Sequence, residues 1–230
     1  MIKRILQLID LDRKFEKISY AQCGEDLIID FILSNLGIHK PYYLDIGAHH
    51  PSYLSNTYLF YKKGCLGVCI EPDPELFLLI RKRRRKDLII NAGVSLENKS
   101  EADFYVMSSR TLSTFSKQEA DKLQNWGRQK IEKICQIPLV PVNDIIKKLS
   151  KVPNFISLDV EGLDFAILKS FDLSNWRPEV FCVETITYSE NNTEQKETEI
   201  IKYMINRGYM VYADTYINTI FVDKDKWKKR

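Results

Sequence analysis

Five short apolar runs, Tyr42–Ile46, Leu66–Ile70, Leu88–Asn91, Phe155–Asp159 and Val180–Val183, narrow the folds open to this chain more than anything else in it. Each has strand length and little polar alternation. Strands of this kind are covered on both faces, which calls for a parallel sheet with crossover helices. Helical stretches lie between the runs, so the expected fold class is α/β, a doubly wound and mostly parallel sheet. A helix over about 193–207 ends at Gly208. Two closing strands, Tyr209–Asp214 and Thr219–Val222, are separated by Tyr216-Ile217-Asn218. That spacing predicts a hairpin whose last strand runs antiparallel at or near an edge.

Ahead of the sheet, Ile2, Ile5, Leu6 and Ile9 recur at helical spacing within Ile2–Ile18, predicting a docking, oligomerisation or membrane-surface helix and favouring a homodimer. A second helix is expected over Glu25–Leu36, with Gly37 as its cap. Residues 1–38 thus form a helical segment packed on a domain of residues 39–230. The middle is less regular: Ala102–Met107 reads as a strand and Ser116–Ile134 as a polar helix. Together they form an insertion near 100–137, placed after a third strand that continues through Asn91-Ala92-Gly93-Val94-Ser95.

The composition, 44% hydrophobic and 28% charged, argues against disorder, and a net charge of +3 is too small to imply a nucleic-acid partner. Five scattered cysteines without a CxxC pair read as buried free thiols of a reducing compartment. No apolar run reaches the length of a signal core or a membrane span, so a soluble, cytoplasmic protein without a transmembrane segment is expected.

Asp45-Ile46-Gly47-Ala48-His49-His50-Pro51 places an acid at the end of a buried strand, then a glycine turn. Ligands of open α/β sheets bind at such strand ends. The helix expected from about Ser55 would offer free N–H groups to a carboxylate, with Asp45 near a ligand's amino-acid end. Glu71, followed by Pro72, ends the next strand, where an acid can accept two hydrogen bonds from a ribose diol. A pyrophosphate needs GxGxxG, and a single glycine before His49, His50 and Pro51 builds no such cradle. S-adenosylmethionine is therefore favoured over a nicotinamide dinucleotide. Asn91 and Ala92 could receive an adenine ring.

These segments, together with Tyr20–Asp26, Ser55-Asn56-Thr57-Tyr58 and Ser157-Leu158-Asp159-Val160-Glu161-Gly162, resemble the FkbM-type S-adenosylmethionine-dependent methyltransferases from about Ser19 to Glu184. The resemblance implies a seven-stranded, Rossmann-like sheet and O-methylation of a sugar or secondary-metabolite hydroxyl. Capsule and lipopolysaccharide sugars are frequent targets of such proteins. It also implies cofactor contacts from Asp45, Gly47, Glu71 and Asn91, with Asp159 beside the methyl-transfer centre. The His49-His50-Pro51 turn departs from the Asn and second Gly of many members and matches a His-Pro branch.

A hydroxyl is a poor nucleophile until deprotonated, so a base is expected near the methyl. Asp159 with one histidine, His50 ahead of His49, is the favoured choice, and Glu161 is a further candidate. A divalent metal on Asp159, Glu161, Glu184 and a histidine is the competing, less favoured mechanism. Gln22, Glu25 and Asp26 either fold over the cofactor or serve as helix N-terminal acids. Ser113-Thr114-Phe115 reads as an ordinary loop, and Arg81–Lys86 as a solvated face. The acceptor is a saccharide or other small molecule. Two alternatives remain, a nicotinamide-dependent sugar oxidoreductase and a non-catalytic glycan-assembly partner.

Overall fold

A computed structural model of the chain describes residues 15–96, 99–187 and 194–230. The stripe of Ile2, Ile5, Leu6 and Ile9 lies outside the described residues.

The apolar runs form the expected sheet. Strands β1 (Tyr42–Ile46), β2 (Leu66–Ile70), β3 (Leu88–Ile90), β7 (Phe155–Leu158), β8 (Val180–Glu184), β9 (Tyr209–Asp214) and β10 (Asn218–Asp223) assemble in the order β3-β2-β1-β7-β8-β10-β9. β10 is antiparallel to both β8 and β9, and the other pairings are parallel. The fold is therefore a doubly wound, seven-stranded, mostly parallel α/β sheet. The hairpin puts β9 on the edge and β10 one place inside it.

Alternate residues of each strand feed opposite layers. Leu44, Ile46, Val68, Ile70, Ile156, Leu158, Phe181 and Val183 pack against α5 (Val142–Lys147), α6 (Asp164–Ser170) and α7 (Thr198–Asn206). On the other face Tyr43, Phe155, Cys182 and Ile220 meet Ile29, Ile32 and Leu33 of α1 (Glu25–Asn35) and Phe60 of α2 (Tyr58–Lys62). Cys69 meets Ile80 of α3 (Pro74–Arg83) there too. Four cysteines are buried and Cys23 is exposed; all five are free. Among the described residues no helix is long and apolar enough to cross a membrane.

Four expectations need correction. The third strand stops at Ile90, and Gly93–Ser95 is a separate strand, β4, in a second sheet ordered β4-β6-β5 with β5 (Glu101–Met107) and β6 (Ile131–Pro141). The small sheet thus takes in chain from Gly93 to Pro141. The polar helix is only Lys117–Asn125 (α4), because Gly127 turns left-handed (φ 84°) and Ile131–Ile137 pairs with β5. The helix expected from Ser55 begins at Tyr58, with Thr57 as its N-cap, and the Ser55 hydroxyl accepts the Tyr58 N–H at 3.1 Å from the turn before it. Finally, the basic run is not uniformly solvated. Arg84 is fully buried, with its Nε on Asp87 at 2.8 Å and its Nη2 on the Tyr43 hydroxyl at 3.0 Å.

Candidate active site

Chain order reverses direction at β1, which is flanked by β2 on one side and β7 on the other. Ligand crevices of open α/β sheets form at this switch point. A cavity of about 430 Å³ opens there, walled at the strand ends by Ile46, Gly47, Ile70, Glu71, Asp159 and Glu184. Its volume falls in the range of roughly 300–1,000 Å³ found for small-ligand sites.

Gly47 is fixed by sterics. Its φ is 81°, and a Cβ added to it would stand 1.8 Å from the Asp159 carbonyl oxygen. The turn is pinned by the Gly47 and Ala48 N–H groups, which donate to the Ile70 carbonyl at 3.0 and 3.1 Å. His49 follows in the left-handed region (φ 52°) and joins the cavity wall.

Glu71 is buried, yet it lines the cavity. Its Oε2 accepts the His49 N–H and its Oε1 the Asp73 N–H, each at 2.7 Å. A carboxylate has about four acceptor positions, so one on each oxygen is left for a ligand. Burial pushes its pKa up to about 8, against the opposing pull of the two N–H donors. The Asn91 carboxamide spends both its N–H groups on the Glu71 and Pro72 carbonyls, at 2.8 and 2.9 Å.

Three carboxylates converge at the far end. Asp159, Glu161 and Glu184 each bring an oxygen within 4.8 Å of the others. Asp159 and Glu184 share a hydrogen bond, which requires one proton between them. Burial, then the charge of Asp45, pushes Asp159 up to about 6, while its bond to Glu184 pulls it back. Burial and the neighbouring Asp159 raise Glu161 and Glu184 well above the usual range. Glu161 has φ 54°, and the Thr114 hydroxyl donates to its carbonyl at 3.0 Å. Asp164 accepts the Val160 and Gly162 N–H groups at 3.1 and 3.3 Å and so ties down the loop that carries Glu161. Three such hard oxygen donors could also hold a divalent cation.

The cavity thus gathers Gly47, His49, Glu71, Pro72, Ala92, Asp159 and Glu161 from the residues expected in the site. Asp45, Ala48, His50, Ser55, Asn56 and Asn91 lie outside its wall. Asp45 accepts a short hydrogen bond from the Thr57 hydroxyl and sits 3.8 Å from Arg84, in the buried polar cluster behind β1. Ala48 packs on Cys69 and Ile80. His50 Nδ1 accepts the Ser52 and Tyr53 N–H groups at 3.2 and 2.9 Å, a local turn cap. Asn56 donates to the Ser157 hydroxyl at 3.1 Å. Gln22 reaches the wall, whereas Glu25 and Asp26 are buried and accept hydrogen bonds from the loop before them.

The insertion supplies a cover that periodicity could not reveal. Arg110, Thr111, Leu112, Ser113, Phe104 and Phe115 all line the cavity, so Ser113 and Phe115 do more than complete a loop. Phe115 lies on Gly93, where a Cβ would come within 2.4 Å of its ring. Arg110 locks the cover to the Glu71 loop, pairing with Asp73 at 2.5 Å and Glu75 at 3.2 Å.

A doubly wound sheet with a glycine turn, a buried acid after its second strand and an acidic cluster after its fourth in sheet order defines an α/β protein built around a small-ligand cleft. The chain belongs to the FkbM methyltransferase domain family, whose profile matches residues 45–211. No curated protein matches it in sequence. Among solved structures it is similar to a putative caffeoyl-CoA O-methyltransferase from Staphylococcus aureus, at 12% identity and TM-score 0.45 over 96% of this chain and 91% of that one. It is also similar to an O-methyltransferase from Bacillus cereus in complex with SAH, at 11% identity and TM-score 0.44 over 95% and 88%. A third similar structure is the magnesium protoporphyrin IX methyltransferase of Synechocystis PCC 6803 with bound SAM, at 11% identity and TM-score 0.40 over 86% and 76%.

Proposed function

We propose that this methyltransferase uses S-adenosylmethionine and methylates a hydroxyl of a sugar, nucleotide-sugar or surface-glycan precursor. The single observation that carries the cofactor reading is Glu71, which lines the cavity and whose two oxygens each accept one backbone N–H, leaving one acceptor position apiece. That arrangement suits the two hydroxyls of a ribose. The turn carries a single glycine, at 47, rather than the three of a loop that wraps a pyrophosphate, which speaks against the nicotinamide alternative.

When bound, the cofactor supplies an electrophilic methyl whose bonding electrons remain on sulfur as it leaves. Gly47 lets the backbone approach its amino-acid end. Ala92 and the Phe115 cover would enclose the flat part of the ligand. The Asp159–Glu184 pair stands at the acidic end of the cavity, with an Asp159 pKa near 6 suited to taking the acceptor's proton at neutral pH. His49 is the second candidate base. Holding the acceptor in line with the methyl contributes about 7–11 kcal/mol in favourable cases, so positioning outweighs the base, which contributes roughly 10²–10⁴-fold.

Calorimetry tests this directly. S-adenosylmethionine and S-adenosylhomocysteine should bind saturably, with Kd on the order of micromolar, and Glu71→Ala should remove binding. NADH should give no heat. Heat with NADH and none with either sulfur ligand would reject the reading.

A further inference from the structure

A second cavity, of about 210 Å³, lies beyond the carboxylates. It shares Leu112, Glu161, Glu184, Ile186 and Thr187 with the cofactor cavity, so the two chambers meet at the acidic end where transfer is placed. An acceptor must reach the methyl from the side away from the sulfur, and a chamber that meets the cofactor cavity at its acidic end is placed to present one.

Its lining is chemically one-sided. Among the described residues, Glu119, Glu161, Asp164, Glu184 and Glu197 line it, with Lys122 as their one cation. Lys122 is already engaged, by Glu119 at 3.2 Å and by the Trp126 ring at 5.1 Å. Glu161 belongs to both walls. Phe165, Leu123 and Ile200 complete the chamber with apolar surface fit for the face of a ring. Among the described residues, a phosphate brought here would meet several acids and no cation other than the engaged Lys122. A nucleotide sugar, larger than the cofactor, would have to enter a chamber of about half the volume of the cofactor cavity.

We infer that the second cavity is the acceptor site and that it selects a monosaccharide unit carrying a free amino group, excluding sugar phosphates and nucleotide sugars. The inference rests on the methyltransferase reading and narrows its acceptor. The ammonium would lie on the acid-lined side of the chamber, beside Glu161 and Glu197, while the ring rests on Phe165.

The test uses the full chain, loaded with S-adenosylhomocysteine and kept in EDTA, titrated calorimetrically with the methyl glycoside of glucosamine, that of N-acetylglucosamine, and glucosamine 6-phosphate. The amine should bind roughly tenfold more tightly than either other sugar. Glu197→Gln, in the chamber but outside the cofactor cavity, should erase most of that preference while leaving S-adenosylhomocysteine affinity unchanged. Equal affinities, tighter binding of the phosphate, no saturable binding of the amine, or a preference indifferent to Glu197→Gln would overturn the inference. Failure of S-adenosylhomocysteine to bind, measured before any sugar is added, would overturn the cofactor reading and this inference together.

Discussion

Asn91 holds the Glu71 loop from outside the cavity, its carboxamide donating to the Glu71 and Pro72 carbonyls at 2.8 and 2.9 Å. The residue thus acts on the ligand through Glu71. Glu71→Ala should abolish measurable cofactor binding. Asn91→Ala should weaken it about tenfold, the cost of losing roughly one or two hydrogen bonds that fix the loop. Calorimetry of the two variants distinguishes a gripping residue from a positioning one, and equal losses would contradict the assignment.

Cofactor binding should release protons. Glu71, raised to about 8 by burial, is mostly protonated at pH 7 in the free protein. Two hydroxyl donors favour its ionised form. Binding enthalpies measured in buffers of different ionisation heat should show net proton release at pH 7, shrinking toward pH 9.

Turnover and stability should move in opposite directions with pH. Asp159, with its pKa raised to about 6, must be ionised to accept a proton, so kcat/KM should fall as pH drops through 6. The same raised value means that its stability contribution is complete below the unfolded value and is lost as pH rises through 6, with Asp164 following near 7. Glu184→Gln removes one of the crowded charges. It should therefore raise Tm more at pH 8 than at pH 5 in thermal unfolding.

Arg84 and Asp87 are buried partners in the cluster that also holds Asp45. Removing one member leaves an uncompensated charge, so Arg84→Met should cost about 3–5 kcal/mol in denaturant unfolding. His50→Ala, losing only a turn cap, should cost about 0.5–2 kcal/mol and leave kcat nearly intact. A drop in kcat beyond tenfold would instead return His50 to the list of bases.

If the three converging carboxylates act without metal, EDTA should leave turnover unchanged. Activity lost on chelation and restored by Mg²⁺ would place an ion on Asp159, Glu161 and Glu184.

How much of this was legible beforehand depends on what each residue's pattern encodes. Unbroken apolar runs announced the strands, and acids after β2 and β7 announced the cleft, because a parallel sheet exposes its strand ends in a fixed place. Asp45 obeyed the same rule of position but faces Arg84, and nothing local distinguishes the two faces of an acid within a buried strand. Arg84 looked like its exposed neighbours in a run of cations. Its burial depends on Asp87, Tyr43 and Thr57, which only the fold assembles. The Arg110 lock and the Phe115 cover lie in an irregular stretch without a period to read, and their roles come from contacts with Asp73 and Gly93.

The central claim is that Glu71 grips the ribose of a sulfonium cofactor whose reactive end faces Asp159 and Glu184. A crystal structure with S-adenosylhomocysteine bound measures it most directly. Both ribose hydroxyls should lie within hydrogen-bond distance of the Glu71 carboxylate, with the sulfur turned toward the carboxylate pair. A ligand seated elsewhere, or ribose hydroxyls bonded to groups other than Glu71, would contradict it.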